Sequence, residues 1–141
     1  MTVDVDVENR TGYAIDEDEV RRILVGVLRA EGVGEADVGV AFVATDEMAA
    51  LNTEHRAVAG PTDVLSFPID GRDPLAGNLP RQLGDLVVCP EVAERDGTPV
   101  PVLLVHGALH LVGYDHEVDD GEMLARQAEL VAEVSGAAEP R

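Results

Sequence analysis

The chain has 141 residues, the length of one domain, and 45% of them are hydrophobic, enough to form a packed core and exclude general disorder. Acidic residues number 28 against 10 basic ones, giving a formal net charge of -18, and the basic residues are all arginine. Such a balance lacks the basic patch of a generic nucleic-acid binder, and no apolar run approaches the roughly 20 residues of a membrane helix.

Along the chain, residues 3–7 alternate apolar and acidic, the pattern of an edge strand. Over residues 16–31, Val20, Ile23, Leu24, Val27 and Leu28 recur at helical spacing behind an acidic first turn, and Gly32 and Gly34 end the helix. Residues 38–44 read as a second strand, and Thr45 as the N-cap of a helix reaching Arg56, with Met48 and Leu51 inward. Gly60 and Pro61 punctuate the chain before a short strand carrying Val64, Leu65 and Phe67, broken at Pro68. The Gly- and Pro-rich residues 70–83 read as a surface loop, residues 84–90 as a buried strand, and 90–97 as a connector or one helical turn. Thr98 is the expected cap of a helix reaching Val112, with Pro99 and Pro101 tolerated in its first turn. A last helix over residues 119–134 places Met123, Leu124, Gln127, Ala128, Val131 and Val134 at helical spacing, and the tail from about residue 136 should fray. The order β-α-β-α-β-β-α-α predicts one α+β domain over residues 1–141, a mixed sheet of about four strands covered by helices. The N-terminal MTVDVDVENR lacks the basic-then-apolar pattern of a secretory signal, and the single cysteine, Cys89, allows no internal disulfide, so a cytoplasmic location without membrane partners is expected.

The helix before Gly113 is apolar nearly all round, which predicts burial, yet it carries His106 and His110 four residues apart on one face. A buried imidazole needs a partner for each nitrogen, and a metal satisfies one on each ring. Gly113 permits a turn with positive φ, after which His116 can return to the same point. A lone histidine would read as a core or surface residue with ordinary partners. Three of the chain's four histidines within eleven residues instead match a catalytic zinc site with three imidazoles and an open fourth position. The spacing is that of the zincin motif H-E-x-x-H-x-x-G-x-x-H, with Gly107 where the protease has its general-base Glu. The cage is present and the proteolytic base is missing, which counts against a metalloprotease.

HGALHLVGYDH, together with NTEHR, PTDVLSFP and GDLVVCP, resembles the YbeY-type endoribonucleases, also called rRNA maturation factors. The resemblance spans most of the chain. It implies a zincin-like α+β fold with the metal-site helix buried, and one Zn2+ on His106, His110 and His116. The implied role is metal-dependent endonuclease processing of the small-subunit ribosomal RNA end and ribosome quality control. RNA and small-subunit ribosomal particles or proteins are the implied partners, and DNA is not expected. The family's important arginine falls on Arg56. Alone, a helix-end arginine complements the helix dipole; with this resemblance it is expected to hold the scissile phosphate through bidentate bonds. Because the chain offers few cations, attraction to RNA must be local, through the metal and Arg56, with Arg72 or Arg81 as further contributors.

Asp115 can orient a ligand histidine from behind or face solvent. His55 reads as a surface residue at a helix end, Cys89 as core, and Asp85 as a turn residue at a strand start. Asp63 and Ser66 lie beside the expected cleft, where backbone groups matter more than side chains. The alternative function is a non-catalytic ribosome-assembly factor with a structural zinc closed by a fourth ligand such as Asp115 or Cys89. Only EVAERDGTPV separates GDLVVCP from the histidine segment, where the resembled family has a longer helical insertion, so the helix there should be short or absent.

Overall fold

The structure, a computed structural model, describes residues 3–56, 59–70, 81–115 and 119–138. Four strands, β1 (Val3–Asn9), β2 (Ala36–Phe42), β3 (Val64–Pro68) and β4 (Arg81–Val88), form one sheet in the order β1-β2-β4-β3. β1, β2 and β4 run parallel and β3 is antiparallel to β4, so the sheet is mixed, as expected. Five helices accompany it: α1 (Glu17–Ala30), α2 (Thr45–Arg56), α3 (Pro90–Asp96), α4 (Val100–Leu111) and α5 (Glu122–Ala138).

Helix α1 begins where Asp16 accepts a hydrogen bond from the Glu19 N–H at 3.1 Å. Its apolar stripe, Val20, Ile23, Leu24, Val27 and Leu28, is buried in a core shared with the inward residues of β1, β2 and β4 and with α4. α4 buries Leu103, Leu104, Val105, Gly107, Ala108, Leu109 and Leu111, which fulfils the expectation of a buried histidine-bearing helix. A second apolar cluster, built from Val43, Met48, Leu65, Val87, Cys89 and Val92, lies under α2 and α3 and holds Cys89 fully buried.

Several boundaries differ from the sequence expectation. The strand expected to start at Gly84 begins at Arg81, so residues 81–83 belong to β4 and not to the loop; residues 71–80 of that loop, including Arg72, lie outside the described residues. A bulge against Asp37 and Val38 admits the extra residue, which hid this strand's start from period-two reading. Asp85 sits inside β4, paired with Phe67 and Gly39, and is not a turn residue. The expected connector is a real but short helix, α3, closed by Gly97 at φ 73°. Thr98 is not a cap: its N–H bonds Ala93 O at 2.9 Å to finish α3, and Pro99 occupies the N-cap of α4. α5 starts later than expected because Asp119 stays outside it, accepting from Gly121 N and Met123 N. That helix continues through Ala138, past the expected fraying point.

Candidate active-site cleft

A cleft of about 950 Å³ opens beside edge strand β3, between α4, α5 and the C-terminal end of α2. His106 and His110 line it from α4, and their rings stand edge to face with centroids 4.8 Å apart. The local sequence dictates this placement. Four-residue spacing puts both rings on one face. The helix then ends in a Schellman turn: Gly113 at φ 104° allows Tyr114 N–H to reach Leu109 O at 3.0 Å and Gly113 N–H to reach His110 O at 3.1 Å.

That turn brings the Tyr114 carbonyl to 2.9 Å from His110 Nδ1. A carbonyl oxygen only accepts, so Nδ1 carries the proton and Nε2 carries the ring's lone pair. His106 Nδ1 lies 2.7 Å from Gln127 Oε1, an acceptor on α5, which sets the same tautomer. Both rings therefore offer the donor set a divalent metal takes from neutral imidazole. His116, the expected third ligand, lies outside the described residues. Among the described residues no group of three His, Cys, Asp or Glu side chains is arranged to hold a metal.

Arg56, the last residue of α2, is exposed and lines the same cleft. Arg10, Arg21 and Arg126 are each paired with carboxylates, whereas Arg56 makes no ion pair among the described residues. Its placement depends on Asn52, one turn earlier and buried, whose Nδ2 donates to Gly60 O at 2.9 Å and ties α2 to the segment entering β3. His55 also lines the cleft, edge-on to Phe67 at 4.6 Å between ring centroids. Asp115 is half-buried on the cleft wall and is not simply solvent-facing. Asp63 and Ser66 line the cleft as well. The Asp63 carbonyl accepts from Cys89 N at 2.8 Å, and Ser66 Oγ donates to Gly107 O at 3.2 Å. For Asp63 the backbone group makes the contact, as expected; for Ser66 it is the side chain.

Gly107 has a packing reason to be glycine. A Cβ there would lie 2.7 Å from Leu86 Cδ2 and 3.3 Å from Ser66 Oγ. At the position where a protease carries Glu, α4 lies so close to the sheet that a side chain would require Leu86 to shift.

The fold and cleft define a class: a mixed-sheet α+β protein presenting paired imidazoles and a cationic side chain to one open groove. The family model described as Endoribonuclease YbeY matches residues 6–135, and the chain belongs to that family. Its relatives include proteins named Endoribonuclease YbeY from Streptomyces griseus (40% identical, 90% of this chain and 87% of the relative) and Salinispora tropica (38% identical, 91% and 94%). The solution structure of TM1509 from Thermotoga maritima is similar in fold, with a TM-score of 0.58 and 29% identity over 94% of this chain and 90% of that one. The resemblance read from HGALHLVGYDH is therefore correct, and the chain is an endoribonuclease, a hydrolase acting on RNA. No helix among the described residues is long and apolar enough to cross a membrane.

Sequence reasoning missed Gln127 as part of the site. Its helical spacing marked it as inward-facing, but nothing in the sequence indicated that its amide would meet His106.

Proposed function

We propose that this chain, acting as one domain over residues 1–141, is a zinc-dependent endoribonuclease that cuts single-stranded ribosomal RNA in small-subunit maturation and ribosome quality control in the cytoplasm. His106, His110 and His116 would hold the metal, and Arg56 would bind the scissile phosphate. The observation that carries this reading is the pair of imidazoles with both Nδ1 atoms held by oxygen acceptors, facing a cleft shared with Arg56. His116 enters on its spacing and on its position one residue after Asp115, which lines that cleft. Bound there, zinc would supply Lewis acidity able to activate water for attack near neutral pH.

The chain's own residues do the rest. Gln127 and the Tyr114 carbonyl hold the two described imidazoles in orientation with Nδ1 as the donor. The Arg56 guanidinium offers paired N–H donors matched to phosphate oxygens and stabilises charge developing there. Asp115 is the carboxylate proposed to steady a ligand histidine. With Gly107 at the protease position, proton transfer to the leaving oxygen falls to Asp63, Asp115 or solvent. A closed structural zinc would need a fourth protein donor, and Cys89, one candidate for it, is fully buried in the cluster under α2 and α3 and does not line the cleft; this favours the enzyme over an assembly factor with a structural zinc.

Few cations reach the cleft, so binding to naked RNA should be weak and only shallowly salt-dependent, and a ribosomal particle would supply the remaining contacts. The test compares the parent with Arg56→Ala on small-subunit particles at matched metal occupancy. Arg56→Ala should lose most cleavage while retaining about one zinc per chain, and His110→Ala should lose the metal itself. Equal cleavage by the parent and Arg56→Ala would remove Arg56 from the site. Metal content unchanged in His110→Ala would remove the metal assignment.

A further inference from the structure

We infer that Gln127 is a positioning residue of the metal site: it fixes the tautomer and ring orientation of His106 from a helix that carries no ligand. This rests on the metal-site reading above and adds a residue to it.

The geometry is specific. His106 Nδ1 and Gln127 Oε1 are 2.7 Å apart, a short bond for two neutral groups, and Gln127 itself lines the cleft. The ring could adopt either neutral tautomer, and only the Nδ1–H form points its lone pair away from α5. An acceptor at Nδ1 selects that form. The two histidines obtain this acceptor in different ways. His110 takes it from the carbonyl of its own helix-ending turn, a group no side-chain substitution deletes. His106 takes it from a side chain on another helix, so its orientation is conditional on how α5 docks.

The docking is firm. Met123 and Leu130, on either side of Gln127 along α5, are buried in the main core. The adjacent Arg126 donates through Nε to Glu31 Oε2 at 2.6 Å, with the Glu31 side chain only 4% exposed. Arg22 donates to Val134 O at 3.3 Å further along. These contacts hold α5 independently of the Gln127 amide, so the amide can be changed without undocking the helix.

The experiment compares the parent, Gln127→Met and Gln127→Glu, with His110→Ala as a control. Methionine keeps the length and removes the acceptor; glutamate keeps an acceptor and strengthens it. Two quantities are read: zinc affinity by competition with a chromophoric chelator, and the His106 tautomer from ¹⁵N shifts of the metal-free protein. Gln127→Met should bind zinc about 10–100-fold more weakly. Its His106 should shift from the Nδ1–H form toward a mixture, while His110 keeps its own. Gln127→Glu should restore both readouts to at least the parental level. A Gln127→Met protein with unchanged His106 tautomer and unchanged zinc affinity overturns the inference, as does failure of Gln127→Glu to rescue a defect. If His110→Ala leaves zinc binding intact, the metal-site reading fails; the His106 tautomer in metal-free protein still decides whether Gln127 holds that ring.

Discussion

The two faces of the central sheet are made by the same strands and have opposite characters. Toward α1 and α4, Val3, Val38, Val40, Phe42, Leu86 and Val88 are buried in a continuous apolar core. On the other face Asp4, Asp6 and Glu8 alternate with them along β1 and stand exposed, and Asp85 leans over Gly39 so closely that a Cβ there would collide with its carboxylate. α2 and α3 cover only one end of that face, over the smaller cluster containing Met48 and Leu65. The comparison shows how a chain of net charge -18 can act on a polyanion. Period-two alternation sends a row of carboxylates to the open face, while the histidine cleft receives Arg56 and only two described carboxylates, Asp63 and Asp115.

The sharpest way to break this division is Gly107→Glu, which writes the protease motif back into α4. It forces a side chain against Leu86 and buries a carboxylate without a partner, so we expect a loss of about 4–5 kcal/mol or of the fold itself. No peptidase activity should appear; a stable, peptide-hydrolysing variant would refute the packing account. A second comparison sets one face directly against the other. Leu109→Ala, at a fully buried position of α4, should cost about 2–5 kcal/mol in urea denaturation, whereas Asp6→Asn on the open face should change stability by about 0.5 kcal/mol or less. Similar losses from both would mean that the exposed face is covered in solution.

Next in size is Arg126→Ala, which leaves the buried Glu31 carboxylate without its guanidinium and should cost about 2–4 kcal/mol, the lower end reflecting Arg126's partial exposure. Glu31→Gln in that background should recover part of the loss, since a buried carboxylate that has lost its guanidinium is then replaced by a neutral amide. The smallest effect belongs to the open face again. A hydrogen bond and the charge of Arg10 hold the Glu8 carboxyl below its ordinary pKa. A lowered folded pKa contributes stability that is present above the ordinary carboxylate value and lost as pH falls through the folded one. Acid titration of stability should therefore show a slightly flatter low-pH limb in Glu8→Gln than in the parent. Both partners are exposed, so the difference should be small and should shrink with added salt.

Much of the molecule was legible before folding was considered. Helical spacing gave α1 its buried stripe and put His106 and His110 on one face of a buried helix. Gly113 marked the turn that brings the Tyr114 carbonyl to His110. These are local relations within a few residues, where backbone geometry alone fixes which groups can meet. The boundaries that shifted, at β4, α4 and α5, shifted because a bulge, a proline N-cap and an Asp119 turn decided them, and none of these follows from hydrophobic period.

Only the tertiary structure decided the relations that cross between elements. It inserted β4 between β2 and β3, brought Arg56 from α2 to the cleft that α4 lines, and packed Gly107 of α4 against Leu86 and Ser66 of the sheet. It also chose Gln127 as the partner of His106, across 21 residues of sequence. The reason is geometric. A helical period states which face of α5 turns inward, but which polar atom on that face meets which ring depends on where two helices cross, and that is set by the packing of Met123, Leu130 and the Arg126–Glu31 pair.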